Sequence, residues 1–207
     1  MKQRNTILTL LLILLIGLAV FAVIWFNKND LEKVENNSNK VAEIYIESTA
    51  NVKKDVCIAS FTTKITYPDE KRTHNVTTCC NYLNNTILES KKIFSFNDTL
   101  GPFNEEQGYV ESTGFDSDGK IIKIIGGGIC QVSSTLYNVA LNSNLEIVER
   151  NEHSAPVDYV AQGKDATICY PYVDLKFKNN TNSDITIKAN CDGNQVTIEF
   201  WNIQSKK

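Results

Sequence analysis

The hydrophobic pattern begins with a long apolar run near the N-terminus. Residues 7–26 carry no charge and number about the 20 that cross a bilayer as a helix. Lys2 and Arg4 precede the run, and the positive-inside bias then favours a cytoplasmic N-terminus. The run ends in Ile24, Trp25 and Phe26 rather than in a small-residue cleavage site. We therefore predict an uncleaved transmembrane signal anchor over residues 1–27, with cleavage as the alternative.

Two further regions follow the predicted anchor. Residues 28–52 are polar and rich in asparagine, and we predict a stalk there. Residues 53–207 are numerous enough for one full-sized domain, which this topology would place outside the cell.

Helix and strand patterns are mixed along this domain, which predicts an α+β fold. Strands are expected at 55–66, 93–96 and 145–150, and a hairpin is expected from 108–115 and 120–125. Apolar residues at helical spacing predict one helix from His74 to about Leu88, with Thr73 as its cap. A second helix is predicted from Gln131 to Asn142.

The last third of the chain predicts an antiparallel C-terminal sheet. Apolar residues alternate through 169–177, 185–191 and 196–200. A turn at Asp192-Gly193 would place Ala189 opposite Val196. A loop at 178–182 would bring 169–177 beside 185–191, with Cys169 opposite Cys191. Because opposed Cβ atoms lie close together, we predict a disulfide there, with two buried thiols as the alternative.

Composition narrows the classes of function. The net charge is −3, which gives no basic face for nucleic acid, and neither of the two histidines stands at metal-ligand spacing. We therefore expect no nucleic-acid partner, no metal and no cofactor. Six cysteines outside the cell favour disulfides, so Cys57 is a further candidate to pair with Cys79 or Cys80. Cys79 and Cys80 are interpreted equally well as small residues of the hydrophobic core.

A glycine-rich stretch leads into the second helix. Gly126 to Gly128 permit a sharp turn, and Cys130 then falls at the helix N-terminus, where free N–H groups and the dipole stabilise a thiolate. This arrangement is typical of a nucleophilic cysteine. A tight connection with Cys130 as a small buried residue is the simpler interpretation.

A nucleophile needs a base, and His153 is the better of the two histidines because it follows the strand after the Cys130 helix. Asp165 would orient the imidazole, and Gln131 with the N–H groups of the helix start would polarise a carbonyl. Spacing alone does not bring these side chains together. The simpler interpretations are that His153 caps a turn and that Asp165 closes a loop.

Other polar residues have simpler interpretations. Arg72 and Asn75 are suited to binding a carboxylate, although a solvated helix start explains them as well. Asp174, Lys176 and Lys178 alternate with apolar residues, which predicts a solvated sheet face first and a ligand site second.

Several segments together resemble the VanW domain, a family named for an accessory protein encoded with B-type vancomycin resistance. The resemblance extends over about residues 55–201 and is carried by GGGICQVSSTLYN at 126–138, ERNEHS at 149–154, DAT at 165–167 and DLKFKNN at 174–180. The family pattern includes Cys130, Gln131, His153 and Asp165, which implies a shared site. The other five cysteines lie outside the pattern.

The resemblance implies a cell-envelope protein that acts on or binds peptidoglycan or its stem peptides. In the enzyme hypothesis Cys130 is the nucleophile, His153 the general base and Asp165 its orienter, as in a thiol peptidase or transpeptidase. In the rival hypothesis the same residues bind a stem-peptide carboxylate without catalysis. A third hypothesis is structural, with Cys130 in a disulfide.

Overall fold

A computed structural model of the protein describes residues 2–50, 55–66, 69–116 and 118–202, in two units, Met1–Lys53 and Lys54–Lys207. The first unit is helix α1, Lys2–Ala50. No proline and a single glycine, Gly17, occur in this helix, so nothing in its sequence interrupts it. It includes the predicted stalk except for residues 51 and 52, which lie outside the described residues.

The search for membrane spans took in the described residues only. Among them, no helix combines the length and the apolarity that crossing a membrane requires.

The second unit is a mixed α+β domain with antiparallel sheets, as predicted. Its elements are, in chain order, β1 (Val56–Lys64), α2 (Glu70–Leu83), β2 (Thr86–Leu88), β3 (Ile93–Ser95), α3 (Phe96–Leu100), a 3₁₀ turn (Glu105–Gln107), β4 (Glu111–Phe115), β5 (Ile121–Ile125), α4 (Cys130–Asn142), β6 (Glu146–Glu149), β7 (Lys176–Lys178), β8 (Ile185–Cys191) and β9 (Gln195–Asn202).

The largest sheet has the strand order β1-β9-β8-β2 and is antiparallel throughout. One face of it is apolar, and α4 packs against β1 and β9 while α2 packs against β8. The predicted alternation is confirmed on this face, where the side chains are fully buried at Ile185, Ile187, Val196, Ile198 and Phe200.

The register of the β8–β9 hairpin differs from the prediction by two residues. Ala189 lies opposite Ile198, because Asp192 and Gln195 close a turn whose central residues are Gly193 and Asn194. The Asp192 carboxylate accepts the N–H groups of Asn194 and Gln195, which fixes this turn. A shift of two residues leaves every side chain on its expected face, so the apolar pattern alone does not reveal it.

The predicted disulfide between Cys169 and Cys191 is wrong. β7 pairs with β3 and β6 in a separate three-stranded sheet, and β8 has β2 rather than β7 as its second neighbour. Cys169 instead pairs through its backbone with Val173, in an isolated β-bridge across a tight turn. All six cysteines, which lie among the described residues, have free thiols, so the suggested bond from Cys57 is also absent.

Helix α2 begins and ends earlier than predicted. Asp69, not Thr73, is the N-cap, and its carboxylate accepts the Arg72 N–H at 2.9 Å. The helix ends at Leu83, and Asn85 has a φ of 67°, which turns the chain into β2 beside β8.

A long irregular segment connects β6 to β7. Its two ends lie side by side, because Glu149 and Lys176 are partners in the register of these neighbouring strands. Between them, the bridge from Asn151 to Thr167 fixes part of the segment. Irregular segments of this length are commonly functional, and this one carries His153 and Asp165.

Candidate active site

The glycine turn places Cys130 at the first residue of α4. Gly126 and Gly128 have φ angles of 78° and 109°, a region that favours glycine. A Cβ atom on Gly127 would lie 2.6 Å from the Thr113 carbonyl oxygen, so the turn rests directly on β4. Asn75 is buried and holds the same turn through a bond from its amide to the Gly127 carbonyl at 3.1 Å.

The Cys130 side chain is partly buried between α4 and the segment that follows Asp165. Its Sγ atom lies 3.6 Å from the Ile168 carbonyl oxygen and 3.8 Å from the Thr167 hydroxyl. The thiol therefore faces the same loop that carries the predicted base.

The structure brings His153 and Asp165 together. The His153 Nδ1–H donates to Asp165 Oδ2 at 2.6 Å, and the His153 backbone N–H donates to the same oxygen at 2.8 Å. Both side chains are largely buried, with exposed fractions of 7% and 10%. The carboxylate thus fixes the ring and its tautomer, which leaves Nε2 free for proton transfer.

Arg150 holds the other side of Asp165. Its NH2 group donates to Asp165 Oδ1 at 2.8 Å, and its Nε donates to the Asp165 carbonyl at 2.6 Å. The same guanidinium forms an ion pair with Glu152 and lies 5.3 Å above the Tyr137 ring. Asp165 is therefore anchored as an ionised carboxylate.

The pKa values follow from these contacts. Burial raises the pKa of Cys130, but the His153 imidazole, together with the Ile168 carbonyl and the Thr167 hydroxyl, outweighs burial and lowers it. Burial lowers the pKa of His153, but Cys130 and Asp165 outweigh it and raise it. Burial raises the pKa of Asp165, but the His153 N–H groups outweigh it and lower it. All three directions favour a thiolate–imidazolium pair with an ionised Asp165.

Polar residues on α4 fasten the loop to the helix. The Ser134 hydroxyl accepts the Ala166 N–H at 2.9 Å, and the Ser133 hydroxyl donates to the Ala166 carbonyl at 2.6 Å. The Asn138 amide donates to the Lys164 carbonyl at 2.7 Å. These bonds flank Asp165 on both sides. The sequence did not predict these hydrogen bonds, although the polar residues of the SSTLYN motif at 133–138 could have indicated them.

Tyr159 also borders the site and was not foreseen. Its hydroxyl lies 3.5 Å from His153 Nε2, on the side of the ring opposite Asp165. Burial, followed by the nearby Cys130 charge, raises the pKa of Tyr159, so the tyrosine stays neutral. No periodic pattern in the irregular segment marks this residue.

Gln131 is not brought into this group. Its side chain is buried, and its amide donates to the Thr63 hydroxyl at 3.1 Å and to the Lys64 carbonyl at 2.9 Å. The amide therefore joins α4 to β1, and we do not carry forward its suggested role in polarising a carbonyl. The second histidine, His74, bonds to the Gly108 carbonyl at 2.8 Å and lies outside the site.

Asp174 is also placed differently from the prediction. It is buried rather than solvated, and it accepts bonds from the Ser95 hydroxyl at 2.6 Å and the Asn97 N–H at 2.9 Å. It therefore supports the start of α3.

No cluster of three or more side chains able to hold a metal occurs among the described residues.

Together these features define an α+β domain with a cysteine at the start of a helix and a hydrogen-bonded histidine–aspartate pair on the loop that the thiol faces. The chain belongs to the VanW family: residues 71–201 match the family model described as VanW like protein.

Two curated proteins show this similarity. The chain is 33% identical over 144 residues to the uncharacterized protein YoaR of Bacillus subtilis (strain 168), which covers 70% of this chain and 47% of that protein. It is 27% identical over 132 residues to the vancomycin B-type resistance protein VanW of Enterococcus faecalis (strain ATCC 700802 / V583), which covers 61% of this chain and 48% of that protein. The chain thus spans about half the length of these relatives. No solved structure matches it significantly.

Proposed function

We propose that this VanW-family domain is a thiol acyltransferase, either a peptidase or a transpeptidase, that acts on peptidoglycan stem peptides. The observation that supports it best is the hydrogen-bonded His153–Asp165 pair on the loop that the Cys130 thiol faces, with the imidazole acting to lower the pKa of that thiol. Membership of a family whose relatives include a vancomycin B-type resistance protein supports an envelope substrate.

The chemistry proposed for this site has two steps. The Cys130 thiolate attacks a peptide carbonyl, and the His153 imidazolium gives its proton to the departing amine as the C–N bond breaks. In the second step His153 removes a proton from water or from an acceptor amine, which attacks the thioester and releases Cys130. Asp165 keeps the ring oriented and stabilises its charge throughout.

Mass spectrometry tests this function. We expect incubation with a stem peptide to add an acyl group to the Cys130 peptide, and we expect this mass to disappear in Cys130→Ala. Cys169→Ala is the matched control, because Cys169 is exposed and lies outside the relay. Absence of any acyl adduct, together with an unreactive Cys130 at neutral pH, would exclude the enzyme.

A non-catalytic module is the second candidate, and one observation favours it. The Cys130 thiol is only partly exposed and already contacts the Ile168 carbonyl, as a packed thiol would. This candidate predicts that stem-peptide binding survives Cys130→Ser with an unchanged dissociation constant, which equilibrium binding would measure.

We further propose that residues 1–27 anchor the protein as a single pass in the cell membrane, with the domain on the extracytoplasmic side. The support is the uncharged apolar run at 7–26 behind Lys2 and Arg4. We expect the full chain in membrane fractions, with residues 53–207 open to protease added outside the cell. Recovery of the intact chain in the soluble fraction would contradict this topology.

A further inference from the structure

Arg72 lies in the first turn of α2, and its side chain extends across the glycine turn that precedes Cys130. A Cβ atom on Gly128 would lie 2.9 Å from Arg72 Cγ, so the aliphatic part of the side chain rests on that glycine. Beyond it, the Arg72 guanidinium reaches Gln131 Oε1 at 3.4 Å. Gly128 and Gln131 stand on either side of Cys130 in the chain, so the guanidinium lies over the helix start that carries the thiol.

Most of the hydrogen-bonding capacity of Arg72 is unused. An arginine has five N–H donors, and within the described residues its guanidinium makes one long bond and no ion pair. Arg150 provides a comparison within the same site, because its guanidinium is bonded to both Asp165 and Glu152. A partly buried arginine with free N–H donors near the helix start that carries a thiol is suited to an anionic group of the substrate.

The Arg72 charge also influences Tyr159, which borders the His153 ring. The pKa of Tyr159 is raised chiefly by burial, and the nearby Arg72 charge acts in the opposite direction. The Tyr159 hydroxyl in turn lies 3.5 Å from His153 Nε2. Tyr159 therefore connects the His153 ring to the part of the site that the Arg72 charge influences.

We propose that Arg72 binds the free α-carboxylate of the substrate's terminal residue. This inference rests on the proposed acyl transfer, and it specifies the substrate as a peptide cleaved at its last peptide bond. The Cys130 sulfur bonds to the carbonyl carbon of the penultimate residue. The C–N bond breaks, and the terminal amino acid leaves with the imidazolium proton while Arg72 holds its carboxylate.

Binding of a matched peptide pair tests the proposal without any turnover. The protein is the full chain with Cys130→Ser, and the probes are the synthetic stem tetrapeptide L-Ala-D-Glu-L-Lys-D-Ala as free acid and as C-terminal amide. Calorimetry should show that the acid binds roughly 10- to 100-fold more tightly, the value of a charge-assisted hydrogen-bonded pair. We expect this preference to disappear in Arg72→Gln and to persist in Lys71→Gln, where the adjacent lysine is exposed.

Three results would overturn the assignment: equal affinity for acid and amide, no binding of either peptide, or a preference that persists in Arg72→Gln. If Arg72→Gln does not fold, as judged by circular dichroism, the same acid and amide affinities are measured with Arg72→Lys. A reduced preference in Arg72→Lys supports the role of the planar guanidinium, and an unchanged preference contradicts it.

Failure of this inference is distinguishable from failure of the proposed enzyme. Acylation of Cys130 with no preference for the free acid would remove the role of Arg72 and leave the enzyme. A strong preference for the acid, with no acylation and an unreactive Cys130 at neutral pH, would support Arg72 as a carboxylate ligand and exclude the enzyme.

Discussion

At the scale of single residues, the pKa of Cys130 depends on its neighbours as well as on its burial. Burial raises the pKa of this thiol, and the His153 imidazole is the main group that opposes burial, with smaller effects from Ile168 and Thr167. Without the imidazole, the thiol would retain the burial and lose the compensating charge.

We therefore predict that His153→Ala raises the pKa of Cys130 above the usual thiol value of about 8.5. Alkylation of Cys130 by iodoacetamide at pH 7 should slow by about tenfold or more, since each unit of pKa changes the thiolate fraction about tenfold. Peptide mapping across pH separates Cys130 from the other five cysteines. His74→Ala is the control, and an identical pH profile in His153→Ala would contradict the pairing.

Asp165 contributes to stability in a pH-dependent way. Its pKa is lowered in the folded protein, so its stabilising effect is present above about pH 4 and is lost as pH falls through the unfolded and then the folded value. We predict that Asp165→Asn reduces the free energy of unfolding by about 3 kcal/mol at pH 7, because it leaves Arg150 without its buried partner.

Urea unfolding at pH 7 and pH 3 measures this effect, and the difference between Asp165→Asn and the parent should shrink at the lower pH. Asp118→Asn is the control, because Asp118 is exposed. A difference that stays constant with pH would show that Asp165 acts through packing rather than through its charge.

At the scale of elements, the glycine turn determines where α4 begins. The sequence predicts this turn and the helix well, because three consecutive glycines and a 3.6-residue pattern each have a direct structural meaning. The end of α2 is less predictable. Thr86 and Ile87 fit its helical pattern, but tertiary pairing with β8 places them in a strand.

We predict that Gly127→Ala destabilises the protein by about 1–3 kcal/mol and slows alkylation of Cys130. The added methyl group would lie 2.6 Å from a backbone oxygen of β4, so the turn must move and the thiol must move with it. Gly193→Ala is the matched control, since φ is 90° there and the surrounding space is open. It should cost about 1–2 kcal/mol and leave the alkylation rate unchanged.

At the scale of the whole molecule, the domain depends on contacts between its two larger sheets. The Phe177 ring of β7 lies 5.7 Å from the Phe200 ring of β9, and both side chains are fully buried. The sequence shows that these residues are core residues. It does not show that they belong to different sheets, because an alternating pattern specifies a face and not a partner strand.

In the candidate site, too, the sequence indicates local features and not long-range contacts. Cys130, His153 and Asp165 were predictable as residue types beside a helix start and a strand end. The contributions of Arg150, Ser134 and Tyr159 depend on how the segment after β6 folds back onto α4. Such a segment has no periodicity, so its contacts are set by side-chain hydrogen bonds that sequence alone does not reveal.

We predict that Phe177→Ala reduces the free energy of unfolding by about 3–5 kcal/mol, as expected for a buried phenylalanine that joins two layers. Phe115→Ala, the same substitution on a residue with 42% exposure, should cost about 1 kcal/mol or less. Denaturant midpoints compare the two, and equal losses would show that the two sheets are not packed through Phe177.

The segment between β6 and β7 begins and ends at adjacent strands, with Glu149 beside Lys176. It carries the imidazole and the carboxylate together, whereas the sulfur belongs to α4, to which polar side chains of that helix fasten the segment. The length and sequence of this segment can therefore change in evolution without changing the order of any strand. A graft of this segment into a related domain would therefore transfer His153 and Asp165 as one unit.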